Sequence, residues 1–156
     1  MDESDIRVPV RRYAPYVILG AIIGAMIWIR TRAADRVLPP DAVYFSGNDP
    51  WYHARMVQLI SAHFPATIRF DPWSNFPNGT GRHSGFGSVF DQLIALASLL
   101  IGGGSPSPHL VNVVTAYAPV IFGAATVIPT YLIAKHLADR WSALATAGLL
   151  ALAGGQ

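Results

Sequence analysis

The sequence contains no cysteine and only one lysine, and only 13% of its residues are charged. The absence of cysteine excludes disulfides and thiolate metal ligands. Soluble domains average about 25% charged residues, so the low charge content indicates a membrane protein. The net charge of +2 is small, and the basic residues cluster at the ends of apolar runs. This arrangement suits contact with membrane lipid, and we expect no nucleic-acid partner.

Three apolar runs predict membrane-spanning helices. The first covers residues 13–29, the second covers residues 109–134, and the third starts at residue 141 and continues to residue 156. Arginines after the first run favour an uncleaved helix over a signal peptide, because an Arg-rich stretch is a poor cleavage site. We therefore expect an all-α membrane protein, with residues 1–156 forming the N-terminal part of one transmembrane domain. Because the third run is still apolar where the chain stops, we also expect a piece of a larger protein.

The short loop between the second and third runs predicts the orientation in the membrane. Lys135 and Arg140 flank this loop, and short basic loops prefer the cytoplasm. The second helix then runs from outside to inside, which places the N-terminus in the cytoplasm and residues 30–108 outside. We therefore expect a multi-pass protein of the cell membrane with a long, helical first outer loop.

Two further helices are predicted within this outer loop. One opens at Asp49 and Pro50 and runs to about His63, since Asp is a favoured cap and Pro fits the first helical turn. The other runs from about Ser84 to Ile101, where apolar residues recur at helical spacing, and it is able to lie flat on the membrane surface. The segment between the two helices is rich in Pro and Gly, which is typical of a turn-rich loop.

Asp49 is the principal candidate for chemistry, and two interpretations of it stay open. It opens a helix directly before Pro50, so capping alone explains it. It also stands among Gly, Asn, Pro and aromatic residues in a chain with few charges, and His53 lies one helical turn further on. A carboxylate is a hard oxygen ligand for Mg²⁺ or Mn²⁺, and such an ion can hold a phosphate.

Other polar residues of the outer loop have simple structural explanations. Asp71 precedes Pro72, which is typical of an Asx turn. Asp91 is expected on the polar face of the second loop helix. Arg82 and His83 lie on a Gly-rich stretch, where they are either solvated or donate hydrogen bonds to a phosphate.

Two strings carry a resemblance to a known family. GNDPWYHARMVQLISAHFP, followed by DPWSNFPNGTGRHSGFGSVFDQLIA, resembles the first outer loop of archaeal oligosaccharyltransferase catalytic subunits. The continuation VNVVTAYAPVIFGAATVIPTYLIAKHLADRWSALATAGLLAL resembles the second and third membrane helices of that family. The similarity covers roughly residues 13–156.

The resemblance implies a C-type glycosyltransferase fold with many membrane helices. It implies transfer of an oligosaccharide, on the outer face, from a dolichyl phosphate or diphosphate carrier to the Asn of Asn-X-Ser/Thr acceptors. Asp49 matches the family's first-loop aspartate, which serves both a divalent metal site (Mn²⁺ or Mg²⁺) and the acceptor amide. His83, with its neighbour Arg82, falls where family members have a loop histidine near the lipid phosphate. The implied partners are a lipid-linked oligosaccharide, an acceptor protein and membrane lipid.

One aspartate is not enough for this chemistry. The family's second acidic motif and its Trp-Trp-Asp motif are expected beyond Gln156, so we predict that residues 1–156 alone do not catalyse transfer. Two alternatives stay open at this point. One is another C-type glycosyltransferase that uses a lipid-phosphate sugar, and the other is a membrane transporter segment without chemistry.

Overall fold

The structure, a computed structural model, describes residues 3–32, 34–39, 42–66, 70–73, 75–81 and 88–153, with the backbone alone for residues 3–12. Most of the described chain is helical, but the all-α prediction misses a two-stranded sheet, which forms where the sequence predicts a turn-rich loop. The elements are α1 (Glu3–Thr31), α2 (Ala34–Val37), α3 (Asn48–His63), β1 (Phe70–Asp71), β2 (Thr80–Gly81), α4 (Val89–Ile101), α5 (Pro108–Leu137) and α6 (Arg140–Ala153).

The first two apolar runs lie inside longer helices. The predicted span 13–29 lies within α1, and the predicted span 109–134 lies within α5. Both helices extend past the apolar runs, because polar and charged residues continue a helix without adding to its hydropathy. By length and composition alone, two stretches of the described chain can cross a membrane: Tyr13–Val37, with mean hydropathy 1.6, and Pro108–Leu137, with mean hydropathy 1.8.

The third apolar run corresponds to α6. This helix has 14 residues, fewer than the roughly 20 that a membrane crossing needs. The last three residues of the predicted run, 154–156, lie outside the described residues. The assignment of a third span therefore stays a prediction.

Residues 1–33 and 119–156 form one compact unit, in which α1 packs against α6. On α6, small residues recur every four positions and face inward, which lets helix backbones approach closely. The buried core of this unit contains Leu19, Met26, Ala124, Val127, Tyr131, Ala143, Leu144, Ala147 and Ala151.

Residues 34–118 form the second compact unit, in which α3 packs against α4. Strands β1 and β2 pair antiparallel, with Phe70 opposite Gly81 and Asp71 opposite Thr80. The start of α5 completes the buried core of this unit, which contains Val57, Ile60, Ile94, Ala95, Val111 and Ala118.

The two helices of the predicted outer loop are both present. The bounds of α3 agree with the prediction within one residue. Helix α4 begins at Val89, later than the predicted start at Ser84, because Ser88 caps it: the Ser88 hydroxyl accepts a hydrogen bond from the Asp91 backbone N–H at 3.2 Å. Residues 84–87 lie outside the described residues.

The packing of α4 on α3 predicts a contrast between two isoleucines of the same helix. Ile94 is 2% exposed and Ile101 is 65% exposed. Ile94→Ala should lower the free energy of unfolding by about 2–5 kcal/mol, because it removes buried methyl groups and leaves a cavity. The control Ile101→Ala should change it by about 0.5 kcal/mol or less. Urea unfolding in detergent, followed by circular dichroism, measures both, and equal losses would contradict the packing.

Candidate catalytic corner at the start of helix α3

Asp49 lies in the first turn of α3, and its side chain is exposed. The cap position belongs to Gly47, whose φ of 90° suits glycine, and no described side chain caps the helix start. Capping is therefore not the role that the structure gives to Asp49. Its carboxylate has no hydrogen bond or ion pair with any residue that the structure describes. Both of its oxygens are thus open to a ligand.

The chain before α3 folds back onto the first turn of the helix. The indole N–H of Trp51 donates a hydrogen bond to the Phe45 carbonyl at 3.0 Å. The two rings meet edge to face, with centroids 5.1 Å apart. The Tyr44 backbone N–H also bonds to the Val37 carbonyl at 2.8 Å. These contacts fix the segment that carries Asp49 on both sides of the residue.

His53 pairs with Asp91 of α4. Its Nδ1 lies 2.7 Å from Asp91 Oδ1, and Ser88 donates its hydroxyl to Asp91 Oδ2 at 2.8 Å. A carboxylate only accepts hydrogen bonds, so His53 donates from Nδ1 and is engaged by α4 rather than by Asp49. The expectation that Asp91 lies on a polar face is wrong. Its side chain is 1% exposed, and the partners are needed because burial removes the carboxylate from water.

Arg55 and Asp71 form a bidentate ion pair. Arg55 Nε donates to Asp71 Oδ2 and Nη2 donates to Oδ1, both at 2.7 Å. The backbone N–H of Trp73 also donates to Asp71 Oδ1 at 3.0 Å, which confirms the predicted Asx turn. The hydrogen bond to Asp71 raises the pKa of Arg55 against the opposing effect of burial. The pair joins the β1–β2 ribbon to α3.

Local sequence patterns do not reveal these two pairs. Arg55 and Asp71 are 16 residues apart, and His53 and Asp91 are 38 residues apart. Helix-spacing and turn rules connect residues only about four positions apart. The one usable signal is the low charge content, because charged side chains are almost never fully buried unless they are paired.

The two remaining site candidates, Arg82 and His83, lie outside the described residues, directly after β2. Their contact with a lipid phosphate stays a prediction. The described chain has no group of three His, Cys, Asp or Glu side chains that could hold a metal ion. Among the described residues, Asp49 therefore offers at most one carboxylate to an ion, and an ion that prefers six oxygens would need further ligands from elsewhere.

A separate cavity of about 380 Å³ lies beside the C-terminal half of α3. At its edge, Gln58 donates a hydrogen bond to Asn112 Oδ1 at 2.6 Å, and the Ser61 hydroxyl is buried without a partner among the described residues. Asp49 does not line this cavity, so the cavity is separate from the candidate site at the start of α3. Its lining residues are Gln58, Ser61, Ala62, Gly104, Ser105, Pro106, Pro108 and Val111.

Tyr52 lies near the buried carboxylates of Asp71 and Asp91, and its surroundings predict a raised pKa for its phenol. Burial raises the pKa of Tyr52 above its ordinary value of 10.0, and the charges of Asp91 and Asp71 raise it further because they repel the phenolate. The folded chain thus holds this proton more tightly than the unfolded chain. The contribution of Tyr52 to stability is complete below pH 10.0 and is lost as the pH rises through the folded-state pKa.

The titration of Tyr52 is measured as a difference: the phenolate absorbance of the Tyr52→Phe variant is subtracted from that of the unmodified chain at each pH. We expect a midpoint above 10.0, which Asp91→Asn should lower because it removes one negative charge. A midpoint at or below 10.0 would contradict the described surroundings of Tyr52.

Removal of Arg55 should destabilise the unit, because Asp71 is 1% exposed and would keep a buried charge without its partner. Since the Arg55 side chain is 40% exposed, water offsets part of the cost, and we expect Arg55→Ala to lower the free energy of unfolding by about 2–3 kcal/mol. The matched control is Arg36→Ala, at an exposed arginine of α2, with about 0.5 kcal/mol or less. Urea unfolding compares the two variants, and an equal response would show that the ion pair does not hold the ribbon.

Comparison with known proteins gives one family and two archaeal relatives. Residues 17–155 match the family described as oligosaccharyl transferase STT3, N-terminal. The chain is 49% identical over 136 residues to the dolichyl-monophosphooligosaccharide–protein glycotransferase AglB of Haloferax volcanii, covering 86% of this chain and 13% of that protein. It is 30% identical over 140 residues to dolichyl-phosphooligosaccharide-protein glycotransferase 3 of Archaeoglobus fulgidus, covering 86% of this chain and 15% of that protein. No solved structure matches the chain.

Proposed function

Because the chain belongs to the oligosaccharyl transferase STT3 family, we propose that it is the N-terminal part of an enzyme of protein N-glycosylation. The enzyme would transfer an oligosaccharide from a dolichyl phosphate or diphosphate carrier to the Asn of an Asn-X-Ser/Thr acceptor. The names of both relatives, each a dolichyl-linked oligosaccharide–protein glycotransferase, support this substrate class. The chain spans only 13–15% of their length, so the activity is proposed for a full-length protein that contains it.

The observation that carries the proposal is the exposed Asp49 carboxylate, which has no partner among the described residues. An amide nitrogen is a poor nucleophile. A carboxylate that accepts hydrogen bonds from the acceptor amide makes the nitrogen lone pair more available, and carboxylates fixed in place beforehand do this at little cost in reorganisation. The contacts on both sides of Asp49 hold the chain segment that carries it, which supports this role.

Asp49 is also the residue that would hold a divalent cation, Mn²⁺ or Mg²⁺. Its chemistry fits, because both ions prefer carboxylate oxygens. Such an ion, when bound, would neutralise the negative charge that builds on the departing phosphate. A single carboxylate does not complete its coordination, and we expect the other ligands from other parts of the full-length protein. For the same reason we expect no transfer by residues 1–156 alone.

We further propose that the chain is embedded in the cell membrane in a C-type glycosyltransferase arrangement. The two stretches that can span a membrane by length and hydropathy support this location. The proposed topology has a cytoplasmic N-terminus and an extracytoplasmic loop over residues 30–108, which would bring Asp49 to the side of the lipid-linked substrate. Arg82 and His83 remain the candidates for contact with the lipid phosphate.

Asp49→Asn in the full-length protein tests the proposal most simply. Removal of one preorganised electrostatic group typically lowers kcat by about 10²–10³-fold, and we expect a loss of at least this size here. The matched control is Asp35→Asn, another exposed aspartate of the same compact unit, which should keep full activity. Transfer to an Asn-X-Thr peptide, with equal protein yield and circular dichroism, is the measurement. Retained transfer in a folded Asp49→Asn variant would remove the catalytic role.

A further inference from the structure

Strand β1 and the turn that follows it expose three aromatic side chains. Phe70, Trp73 and Phe76 are 54%, 69% and 72% exposed, respectively. Aromatic side chains normally bury most of their large apolar area, so three exposed rings within seven residues are costly in water. We call these three residues the aromatic tip.

The three rings contact one another or the turn. The rings of Trp73 and Phe76 are nearly parallel, with an interplanar angle of 15° and centroids 6.0 Å apart. The Phe70 ring lies over Gly79, where a Cβ atom would come within 2.2 Å of Phe70 Cζ. A side chain at this position would displace the Phe70 ring, and the φ of 70° at Gly79 favours glycine in any case.

Hydrogen bonds of Asp71 attach the aromatic tip to helix α3. Asp71 lies between Phe70 and Trp73 in the sequence. Its carboxylate accepts two hydrogen bonds from the Arg55 guanidinium and one from the Trp73 backbone N–H. These bonds attach the tip to α3. A partner that covers the rings therefore loses little free energy in ordering them.

The chemistry of the tip suits the boundary between lipid headgroups and acyl chains. Asp71 is the only charged residue in positions 70–81, and it is buried and paired. The other polar side chains near the rings are small and uncharged, such as Asn75 and Asn78. Trp is enriched at membrane–water interfaces, where its ring lies at the level of the headgroups. In the sequence, Arg69 and Arg82 flank the segment, and basic residues there suit lipid phosphates.

Chain connectivity favours lipid as the partner. The unit that carries the tip is continuous, at both ends of its sequence, with the stretches Tyr13–Val37 and Pro108–Leu137 that can span a membrane. A segment tethered at both ends beside a bilayer meets lipid at a high effective concentration. We propose that the aromatic tip inserts into the headgroup region of the membrane and fixes the height of α3 above it. This inference rests on the membrane location proposed above.

Spin labels test the insertion, because the chain has no cysteine of its own. Three single-cysteine variants are reconstituted into phosphatidylcholine vesicles: Asn78→Cys beside the tip, Ser46→Cys at an exposed site of the same unit, and Ile128→Cys within α5. The ratio of oxygen to nickel-chelate accessibility reports depth in lipid. We expect a high ratio at residue 128, an intermediate ratio at residue 78 and a low ratio at residue 46.

Removal of the aromatic rings should move the spin label at residue 78 out of the lipid. In the Asn78→Cys background, Trp73→Ser with Phe76→Ser should reduce the ratio to that of residue 46, while Trp73→Phe should retain it. A ratio at residue 78 equal to that at residue 46 would overturn the insertion, and so would burial that persists without the rings. If the label at residue 128 is also water-exposed, the proposed membrane location fails together with the inference.

Two further outcomes assign the tip to another partner and would also overturn the inference. One is a glycan on Asn78 in the native protein, since Asn78-Gly79-Thr80 is a formal acceptor and a glycan would keep the tip in water. The other is a ratio at residue 78 that stays low in vesicles while added oligosaccharide changes the Trp73 fluorescence, which would make the rings a sugar platform.

Discussion

Two buried carboxylates decide how helix α3 is held. Asp71 and Asp91 are each 1% exposed, and each bonds to a side chain of α3, Arg55 and His53 respectively. A buried charge is stable only when partners hydrogen-bond to it with good geometry. Each pair therefore restricts the relative positions of the two elements that it joins. One pair attaches the β1–β2 ribbon and the other attaches α4. The apolar contacts of Val57 and Ile60 add stability, but they are less directional than these hydrogen-bonded pairs.

Three aspartates of this unit differ in burial and in hydrogen bonding. Asp71 and Asp91 are buried and bonded, and they spend their hydrogen-bonding capacity on the fold. Asp49 is exposed at the start of the same helix and has no partner among the described residues. Helix α3 thus carries one carboxylate that the fold does not use. The catalytic role proposed for Asp49 rests on this difference, because a carboxylate without a structural partner is free to bind a ligand.

The sequence predicts features that depend on near neighbours. The Asx turn at Asp71 follows from residues within a few positions and is found. The start of α3 is found within one residue, although Gly47 and not Asp49 takes the cap position. The apolar runs likewise predict α1 and α5, although not their full lengths. Asp91 is assigned wrongly, because its burial depends on His53, which lies 38 residues earlier in the chain. The start of α4 is misplaced because apolar spacing continues upstream of the Ser88 cap. Pairing between distant residues is set by tertiary packing, which local rules do not contain.

We propose that Asp49 binds a ligand at the transfer site. An experimental structure of the full-length protein with Mn²⁺ and a dolichyl-phosphate substrate, in which anomalous scattering locates the ion, tests this role. We expect an ion at bonding distance from an Asp49 oxygen, about 2.1 Å as for Mg²⁺, if Asp49 has this role. An ion bound elsewhere, with Asp49 facing bulk solvent and touching neither ion nor acceptor, would contradict it.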